Sequence, residues 1–466
     1  MKTNQVPNFA RNDLGSSQIS NKPKRFSLTD YFVLALTFTL LFSSVIALYH
    51  FQPYFAKIQL KRLEGFSGQL FFGVSLFLLA IQVLFLLYIF YQYFKYKPVA
   101  AVDDEQLPTC TVIVPAYNEG RLVYDTLLSL AQSDFPAEKL EIISFDDGSK
   151  DDTWEWMQRA KAVLGSRVTI YQQPKNMGKR HALYRGFNLG KGEVFVTVDS
   201  DSIVKQDTLR QLVSPFVNND LCGAVGGNVA VLNTQNGIIP KMLNVSFVFS
   251  FEFIRSAQSA LNSVLCTPGA LAAYRREAVM NCLEAWINQT FMGNPSDIGE
   301  DRAMTNMILK QGYHVLFQKN AYVLTNTPER FKGLYKMFIR WERSNVRENI
   351  MMSKFAFTKF RKGSTVGPRI LLLNQWLKVI LAYPMLLLML YLVLSYPIMF
   401  VTSALAGILI FSSIQVIFYA NKYTIKDSFW AYTYSIFYTF TLFWITPYAI
   451  ATANRRGWLT RTLPTK

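Results

Sequence analysis

The sequence predicts an α/β domain, doubly wound around a parallel sheet and inserted between α-helical transmembrane segments. Three observations predict it. Uncharged apolar runs stand toward both ends of the chain, at residues 31–49, 65–94, 379–421 and 428–454. Between them, short β-rich runs alternate with helical patterns, the signature of strand–helix–strand units. The composition is also too apolar for a wholly soluble protein: 51% hydrophobic and only 17% charged, where soluble domains carry about 25% charged residues. The charge that remains is unbalanced, with 48 Lys and Arg against 31 Asp and Glu, net +17. Such an excess suits nucleic acid, an anionic membrane surface or a polyanionic substrate. Four Cys in 466 residues exclude a disulfide scaffold, and three His with no Cys-x-x-Cys pair argue against a structural zinc site.

The segments follow in order. A polar tail at 1–30 carries Lys2, Arg11, Lys22, Lys24 and Arg25, while the loop after the first apolar run holds Lys57, Lys61 and Arg62. This bias puts the N-terminus in the cytoplasm, and the long polar lead argues against a signal peptide. Two spans within 31–94 return the chain to the cytoplasm, since about 20 apolar residues cross the roughly 30 Å hydrocarbon layer. Residues 95–331 then form a cytosolic domain and 332–368 a basic amphipathic interface segment. Further spans occupy 369–454, with a break near Ser395-Tyr396-Pro397, and a basic tail closes the chain at 455–466. Three crossings would leave that tail outside, against its Arg455, Arg456, Arg461 and Lys466. The stretch around Pro447 is therefore expected to be re-entrant or split.

Within the cytosolic domain, strands are expected at 109–114, 140–145, 167–171 and 193–198, with a helix from about Asn118. In open α/β sheets, ligands bind beyond the carboxyl ends of the strands. Three polar clusters fall at such ends: Tyr117-Asn118-Glu119, Asp146-Asp147-Gly148-Ser149 and Asp199-Ser200-Asp201. No GxGxxG follows the first strand and no GxxxxGK[ST] occurs, which excludes a standard dinucleotide binder and a P-loop NTPase. Asp199 and Asp201, one residue apart, suit a hard divalent cation such as Mg2+ or Mn2+ shared with a diphosphate; the same pattern also caps helices. Asp147 suits a hydrogen-bond acceptor for a base or ribose, or an ordinary Asp-Gly turn. The basic loop Pro174-Lys175-Asn176-Met177-Gly178-Lys179-Arg180 enters a helix, an arrangement that suits a diphosphate or a solvated turn. In Gly299-Glu300-Asp301-Arg302 a carboxylate can take a proton from an acceptor hydroxyl, or cap the helix that follows. Arg340-Trp341 offers a cation for a leaving diphosphate and a ring for a sugar face, on a stretch that also suits a membrane surface.

Taken together, these stretches resemble the processive family-2 glycosyltransferases, which include hyaluronan, chitin and cellulose synthases. The resemblance rests on Val112-Ile113-Val114-Pro115-Ala116-Tyr117-Asn118-Glu119, Asp146-Asp147-Gly148-Ser149, Gly178-Lys179-Arg180, Asp199-Ser200-Asp201, Gly299-Glu300-Asp301-Arg302 and Arg340-Trp341, in that order. It is strongest to hyaluronan synthases and chito-oligosaccharide synthases, through Arg340-Trp341-Glu342-Arg343-Ser344 and the tail Gly457-Trp458-Leu459-Thr460-Arg461. The resemblance implies a GT-A-like fold and inverting polymerisation of a β-linked polysaccharide from UDP-sugars, with export through a plasma-membrane protein. It implies that Tyr117, Glu119 and Asp147 hold the uridine, Lys179 and Asp199 the nucleotide sugar, and Asp201 the metal. It further implies Asp301 as general base, Arg340 and Trp341 beside the diphosphate, and Trp341 with Glu300 toward the acceptor. The partners implied are a UDP-sugar, the growing polysaccharide and the lipid bilayer; nucleic acid is not expected, and a partner subunit is possible but not implied. Three departures bear on sugar specificity: Met337 in place of the usual Gln, Glu300 where Asp is usual in hyaluronan synthases, and Cys266-Thr267-Pro268-Gly269 in place of Ser-Gly-Pro. Two other readings share these motifs: a transferase adding one sugar to a lipid carrier, and a catalytically dead nucleotide-sugar sensor.

Overall fold

The computed structural model describes residues 26–455; the tail motif at 457–461 and the N-terminal basic residues Lys2, Arg11, Lys22, Lys24 and Arg25 lie outside the described residues. The domain between the long apolar helices is built on an eight-stranded sheet. Its strands are β1 (Cys110–Ala116), β2 (Leu140–Asp146), β3 (Val168–Gln172), β4 (Val194–Val198), β5 (Ser202–Val204), β6 (Cys222–Val231), β7 (Leu271–Arg275) and β8 (His314–Thr325). Their spatial order is β3-β2-β1-β4-β7-β6-β8-β5. Every position of β1 and β4 is buried. A strand covered on both faces reads as a continuous apolar run, which is why these strands are visible as Val/Ile-rich stretches.

The sheet is mixed, which corrects the expectation of a parallel one. Strands β3, β2, β1 and β4 run parallel, as do β6 and β8. Strand β7 is antiparallel to both neighbours, β4 and β6, and β5 is antiparallel to β8. The physical reason lies in the connection from β6 to β7. It leaves the carboxyl end of β6 and re-enters the sheet at that same end, so it is an oversized hairpin and not a crossover. It carries a helix, residues 238–260, and that helix mimics in sequence the crossover of a parallel unit. Because the connection starts and ends on one rim, it delivers its own residues to the rim where ligands bind.

Twelve longer helices complete the described chain, numbered here in order. They are α1 (Leu28–Leu63), α2 (Phe66–Lys95), α3 (Leu122–Ala131), α4 (Thr153–Leu164), α5 (Lys179–Leu189), α6 (Thr208–Asn218), α7 (Ile238–Val248), α8 (Glu300–Lys310), α9 (Phe331–Ala356), α10 (Val366–Ser395), α11 (Pro397–Ala420) and α12 (Trp430–Thr441). The helix expected from Asn118 begins at Leu122, because Asn118 and Gly120 take left-handed backbone angles of φ 53°. A left-handed pair cannot belong to a right-handed helix.

Helices α1, α2, α10 and α11 are each long and apolar enough to cross a membrane. Helix α1 continues past the first apolar run through Pro53 to Leu63, and Gly65 precedes the start of α2. The break between α10 and α11 falls at Tyr396, with Pro397 opening α11. Pro is tolerated there because a first-turn N–H has no helical partner. After α12 the chain breaks at residues 442–444 and resumes as a short helix, Ile445–Ala451, which contains Pro447. The interruption thus precedes Pro447 instead of centring on it.

Two ion pairs with buried carboxylates moor residues 238–260 to the long apolar helices. Lys241 Nζ lies 2.5 Å from Asp30 of α1, and Lys422 Nζ, just past α11, lies 2.7 Å from Glu252. On the other side, the chain leaving α2 is sewn to β8. Tyr96 donates its hydroxyl to Phe317 O at 2.9 Å and accepts from Lys319 N at 3.0 Å.

Candidate active site

Register alone assembles the rim. Strands β1 and β2 pair Ala116 with Asp146, and Asp147 N donates to Ala116 O at 2.8 Å. Tyr117 and Asp147 therefore stand side by side. Strands β1 and β4 pair Ile113 with Thr197, so Asp199 follows at the same end. Antiparallel pairing of Val198 with Leu271 then brings Gly269, two residues before β7, back against Asp199-Ser200-Asp201. The resulting cleft has a volume of about 540 Å³ and is lined by Tyr117, Glu119, Asp147, Lys179, Asp199, Asp201 and Arg340, together with Pro115, Ala116 and Ser200.

Side chains hold the turns of this rim in shape. Asn118 accepts from Lys150 N at 2.8 Å, and Ser149 Oγ accepts from Asn118 N at 2.9 Å. Thr153 Oγ1 accepts from the backbone of both Glu119 and Gly120. Asp147 is 3% exposed, and its carboxylate accepts from Gln173 Nε2 at 2.7 Å, Met177 N at 2.8 Å and Gly178 N at 2.7 Å. It thereby fixes the basic loop as well as lining the cleft. Gly148 has φ 71°, and a Cβ there would lie 2.6 Å from the Lys175 carbonyl carbon, so this turn requires glycine.

Two of the loop's three cations, Lys179 and Arg180, go in opposite directions. Arg180 turns inward, donating to Trp286 O at 2.8 Å and to Gln289 Oε1 at 3.1 Å. Lys179 turns to the rim, with Nζ 2.5 Å from Asp199 Oδ1 and 3.2 Å from Glu300 Oε1. Its side chain is only 9% exposed, and Asp199 and Glu300 hold its pKa above the ordinary lysine value despite burial. Glu300 is buried too, yet Lys179 keeps its carboxyl below the usual range.

Asp301 sits next along α8 and behaves differently. Its Oδ2 accepts from Gly269 N at 3.1 Å and lies 3.7 Å from Cys266 Sγ, and its Oδ1 accepts from Arg302 N at 2.7 Å. Burial, then the neighbouring Glu300 charge, raises its pKa above the ordinary carboxylate value. A buried carboxylate with a raised pKa suits proton abstraction near neutral pH. Gly269 is the point where the groups meet. A Cβ there would lie 2.8 Å from Lys179 Nζ, 3.6 Å from Asp301 Oδ2 and 3.9 Å from Asp199 Oδ2. Gly269→Ala is accordingly expected to lower the activity of this site about tenfold while moving the melting midpoint by no more than a few degrees, because the close neighbour is the end of a flexible side chain. Turnover and thermal unfolding of the purified variant measure the two.

Helix α9 brings Arg340 to the cleft from far along the chain. Gly299, at φ 76°, lets α9 approach so closely that a Cβ would lie 1.8 Å from Ser344 Oγ. Arg302 locks the contact, donating to Asn345 Oδ1 at 2.6 Å and Asn349 Oδ1 at 2.7 Å. Arg340 is one turn before Ser344 on the same face. Trp341 is not among the residues lining the cleft; it packs with Phe247 and Phe338 at ring distances of 6.2 and 5.7 Å and is 37% exposed. The structure thus gathers Tyr117, Glu119, Asp147, Lys179, Asp199, Asp201 and Arg340 in one cleft. Glu300 and Asp301 are joined to it through Lys179 and Gly269, and Trp341 stands to one side. Sequence reading placed Arg180 in the basic loop without seeing that it turns inward, and it singled out neither Gln173, just past the end of β3, nor Arg255, because neither belongs to a charged motif.

No group of three or more His, Cys, Asp or Glu poised for a metal occurs among the described residues. The donor set beside the cleft is instead two carboxylates, Asp199 and Asp201, with Asp201 Oδ1 accepting from Ser202 and Thr325 hydroxyls at 3.2 Å. An all-oxygen set of this size fits Mg2+ or Mn2+, which take few protein ligands and fill their shell with substrate phosphate and water.

Residues 108–344, half of the chain, match the family model described as "Glycosyltransferase like family 2". The chain belongs to glycosyltransferase family 2. Within this family-2 chain, 251 residues are 32% identical to an N-acetylglucosaminyltransferase of Rhizobium meliloti (strain 1021), covering 54% of this chain and 58% of that protein. A hyaluronan synthase of Streptococcus pyogenes is 31% identical over 270 residues, covering 57% and 62%. The match thus spans about three-fifths of the length of these curated relatives. Among solved structures, a mannosyltransferase from Pyrobaculum calidifontis in complex with GDP-Man and Mn2+ superposes with a TM-score of 0.52 at 21% identity, covering 79% of this chain and 92% of that one. That likeness bears on the fold: the family-2 domain has the GT-A-like architecture expected from the motif order.

Proposed function

We propose that this chain is a membrane-embedded, inverting glycosyltransferase that polymerises a β-linked, N-acetylglucosamine-containing polysaccharide from UDP-sugars. The carrying observation is the convergence of Asp147, Asp199, Asp201, Lys179 and Arg340 on one cleft, with Asp301 adjoining it across Gly269. Tyr117, Glu119 and Asp147 line the end suited to the uridine. Asp301 takes the proton from the acceptor hydroxyl, and that oxygen attacks the anomeric carbon opposite the diphosphate. The bond to the diphosphate breaks with inversion, so an α-linked donor yields a β-linked product. Arg340 carries the charge that grows on the departing UDP. A divalent cation at Asp201, Mg2+ or Mn2+, would add Lewis-acid stabilisation of the same diphosphate.

The catalytic rim faces the cytoplasm in this reading, on a protein of the plasma membrane. Support comes from the basic N-terminal tail and from helices α1, α2, α10 and α11. Export of the polymer through the protein is the natural complement of a transferase fused to its spans. Detergent-purified protein, incubated with Mg2+ or Mn2+ and single or paired UDP-sugars, is expected to release UDP and form a ladder or smear of long product. A single-sugar adduct on lipid would replace polymerisation by one-step transfer, and no UDP release with any donor would overturn the proposal.

A further inference from the structure

The helix over residues 238–260 is not uniform. Its middle, Phe249–Arg255, widens into a π-helix. Such turns are rare, and most occur at functional sites. The widened stretch ends on Arg255, whose guanidinium carbon lies 3.7 Å from the centre of the Phe251 ring. Stacking on the ring fixes the plane of the guanidinium and therefore the direction of its N–H groups. Nη1 is buried and donates to no group among the described residues.

The surroundings of Arg255 are those of the candidate base. Gln258, about one turn on from Arg255, accepts at Oε1 from Leu265 N at 3.2 Å, which sets this part of the helix beside Cys266. Cys266 Sγ is itself 3.7 Å from Asp301 Oδ2. Yet Asp301 takes its hydrogen bonds from Gly269 N and Arg302 N, not from Arg255. Arg255 is likewise absent from the lining of the donor cleft. An oriented guanidinium whose Nη1 is buried without an acceptor among the described residues, close to the base and away from the donor cleft, is expensive unless something accepts from it. The remaining reactant in a transfer reaction is the acceptor.

We infer that Arg255 is an acceptor-positioning residue: Nη1 donates to an oxygen of the acceptor's terminal sugar and fixes that ring so its nucleophilic hydroxyl meets Asp301. The accepting oxygen is a ring hydroxyl or a uronate carboxylate, both of which match a guanidinium N–H. The inference rests on the transferase reading above and deepens it, because it assigns the acceptor side of the same site.

The test separates UDP release from sugar transfer. Full-length protein is given a UDP-sugar and a short oligosaccharide ending in either an N-acetylhexosamine or a uronate, and UDP and elongated product are counted separately. In Arg255→Met the ratio of sugar transferred to UDP released is expected to fall ten- to a hundredfold and the acceptor KM to rise. The donor KM is expected to stay within about twofold. Loss with both acceptors identifies a hydroxyl partner; loss with the uronate alone identifies a carboxylate. Arg255→Lys keeps the charge on a stem that still packs on Phe251, and it is expected to recover part of the ratio. An unchanged ratio in both variants, or an equal fall of UDP release and transfer, overturns the inference. Should the methionine variant not fold, a wild-type acceptor KM in Arg255→Lys overturns it equally. Absence of UDP release by the wild-type protein would instead overturn the transferase reading, and the acceptor role with it.

Discussion

Asp301→Asn is expected to abolish synthesis, lowering sugar transfer by about a thousandfold or more, while UDP still binds. General-base catalysis contributes about 10²–10⁴-fold, and two neighbouring carboxylates are already engaged: Glu300 with Lys179 at 3.2 Å, and Asp199 with the same ammonium at 2.5 Å. The amide can keep the hydrogen bond from Gly269 N through its oxygen, so the rim need not collapse. Stability should move the other way from activity. Burial and the Glu300 charge raise the Asp301 pKa in the folded protein. A carboxyl whose folded pKa lies above its unfolded value stabilises the fold fully only below the unfolded pKa, and that stability is lost as pH rises through the folded pKa. At pH 7 the ionised Asp301 therefore works against the fold, and the uncharged amide removes that cost. The melting midpoint of Asp301→Asn at pH 7 should equal or exceed that of the wild type. Calorimetric titration with UDP, radiolabel incorporation and a thermal melt decide the matter together; wild-type incorporation would remove Asp301 from the mechanism.

Lys179→Met is expected to be nearly as damaging and to leave a signature in the pH profile. Lys179 is paired with both Asp199 and Glu300, and its charge also acts on Asp301. Without it, three carboxylates face one another in a partly dry site. Since a nearby positive charge favours the ionised form of a carboxyl, its removal lifts the Asp301 pKa further. The base must be ionised to act, so kcat/KM climbs with pH through that pKa. In the wild type the acid limb should lie above the ordinary carboxylate range, and in Lys179→Met it should move to still higher pH. At pH 7 the activity should fall about a hundredfold or more, with partial return as the pH is raised toward 9. Lys179→Arg should hold the limb near its wild-type position while losing some rate, since the charge is kept and the geometry is not. A limb that does not move in Lys179→Met would show that Lys179 serves the nucleotide alone.

Much of the site was legible because it depends on local chemistry. Tyr117-Asn118-Glu119, Asp147 and Asp199-Ser200-Asp201 each follow an apolar run directly, and a strand that must be buried cannot carry such residues except at its end. Asp301 opens a helix and Lys179 ends a glycine-containing loop, both readable within a few residues. The mixed sheet was not legible. The connection from β6 to β7 has the helix of a parallel crossover, and only its point of return distinguishes it. Trp341 was expected from the resemblance beside the diphosphate and toward the acceptor; adjacent residues on a helix point about 100° apart, so its ring packs with Phe247 and Phe338 while Arg340 lines the cleft. Arg255 carried no signal at all, because its role depends on Phe251 beneath it and on Cys266 and Asp301 beside it.

The sequence by itself determined that this chain has buried strands ending in acidic and aromatic clusters, flanked by segments apolar enough for a bilayer. Burial and charge are properties of single residues and their near neighbours, so composition and spacing suffice to reveal them. Only the tertiary structure decided that Gly269, Lys179 and Asp301 meet, and that Arg340 reaches their cleft from a helix docked through Gly299 and Ser344. Those meetings join residues up to well over a hundred positions apart. They are chosen by strand register and by the fit of one helix against another, and neither quantity is carried by any short stretch of the chain.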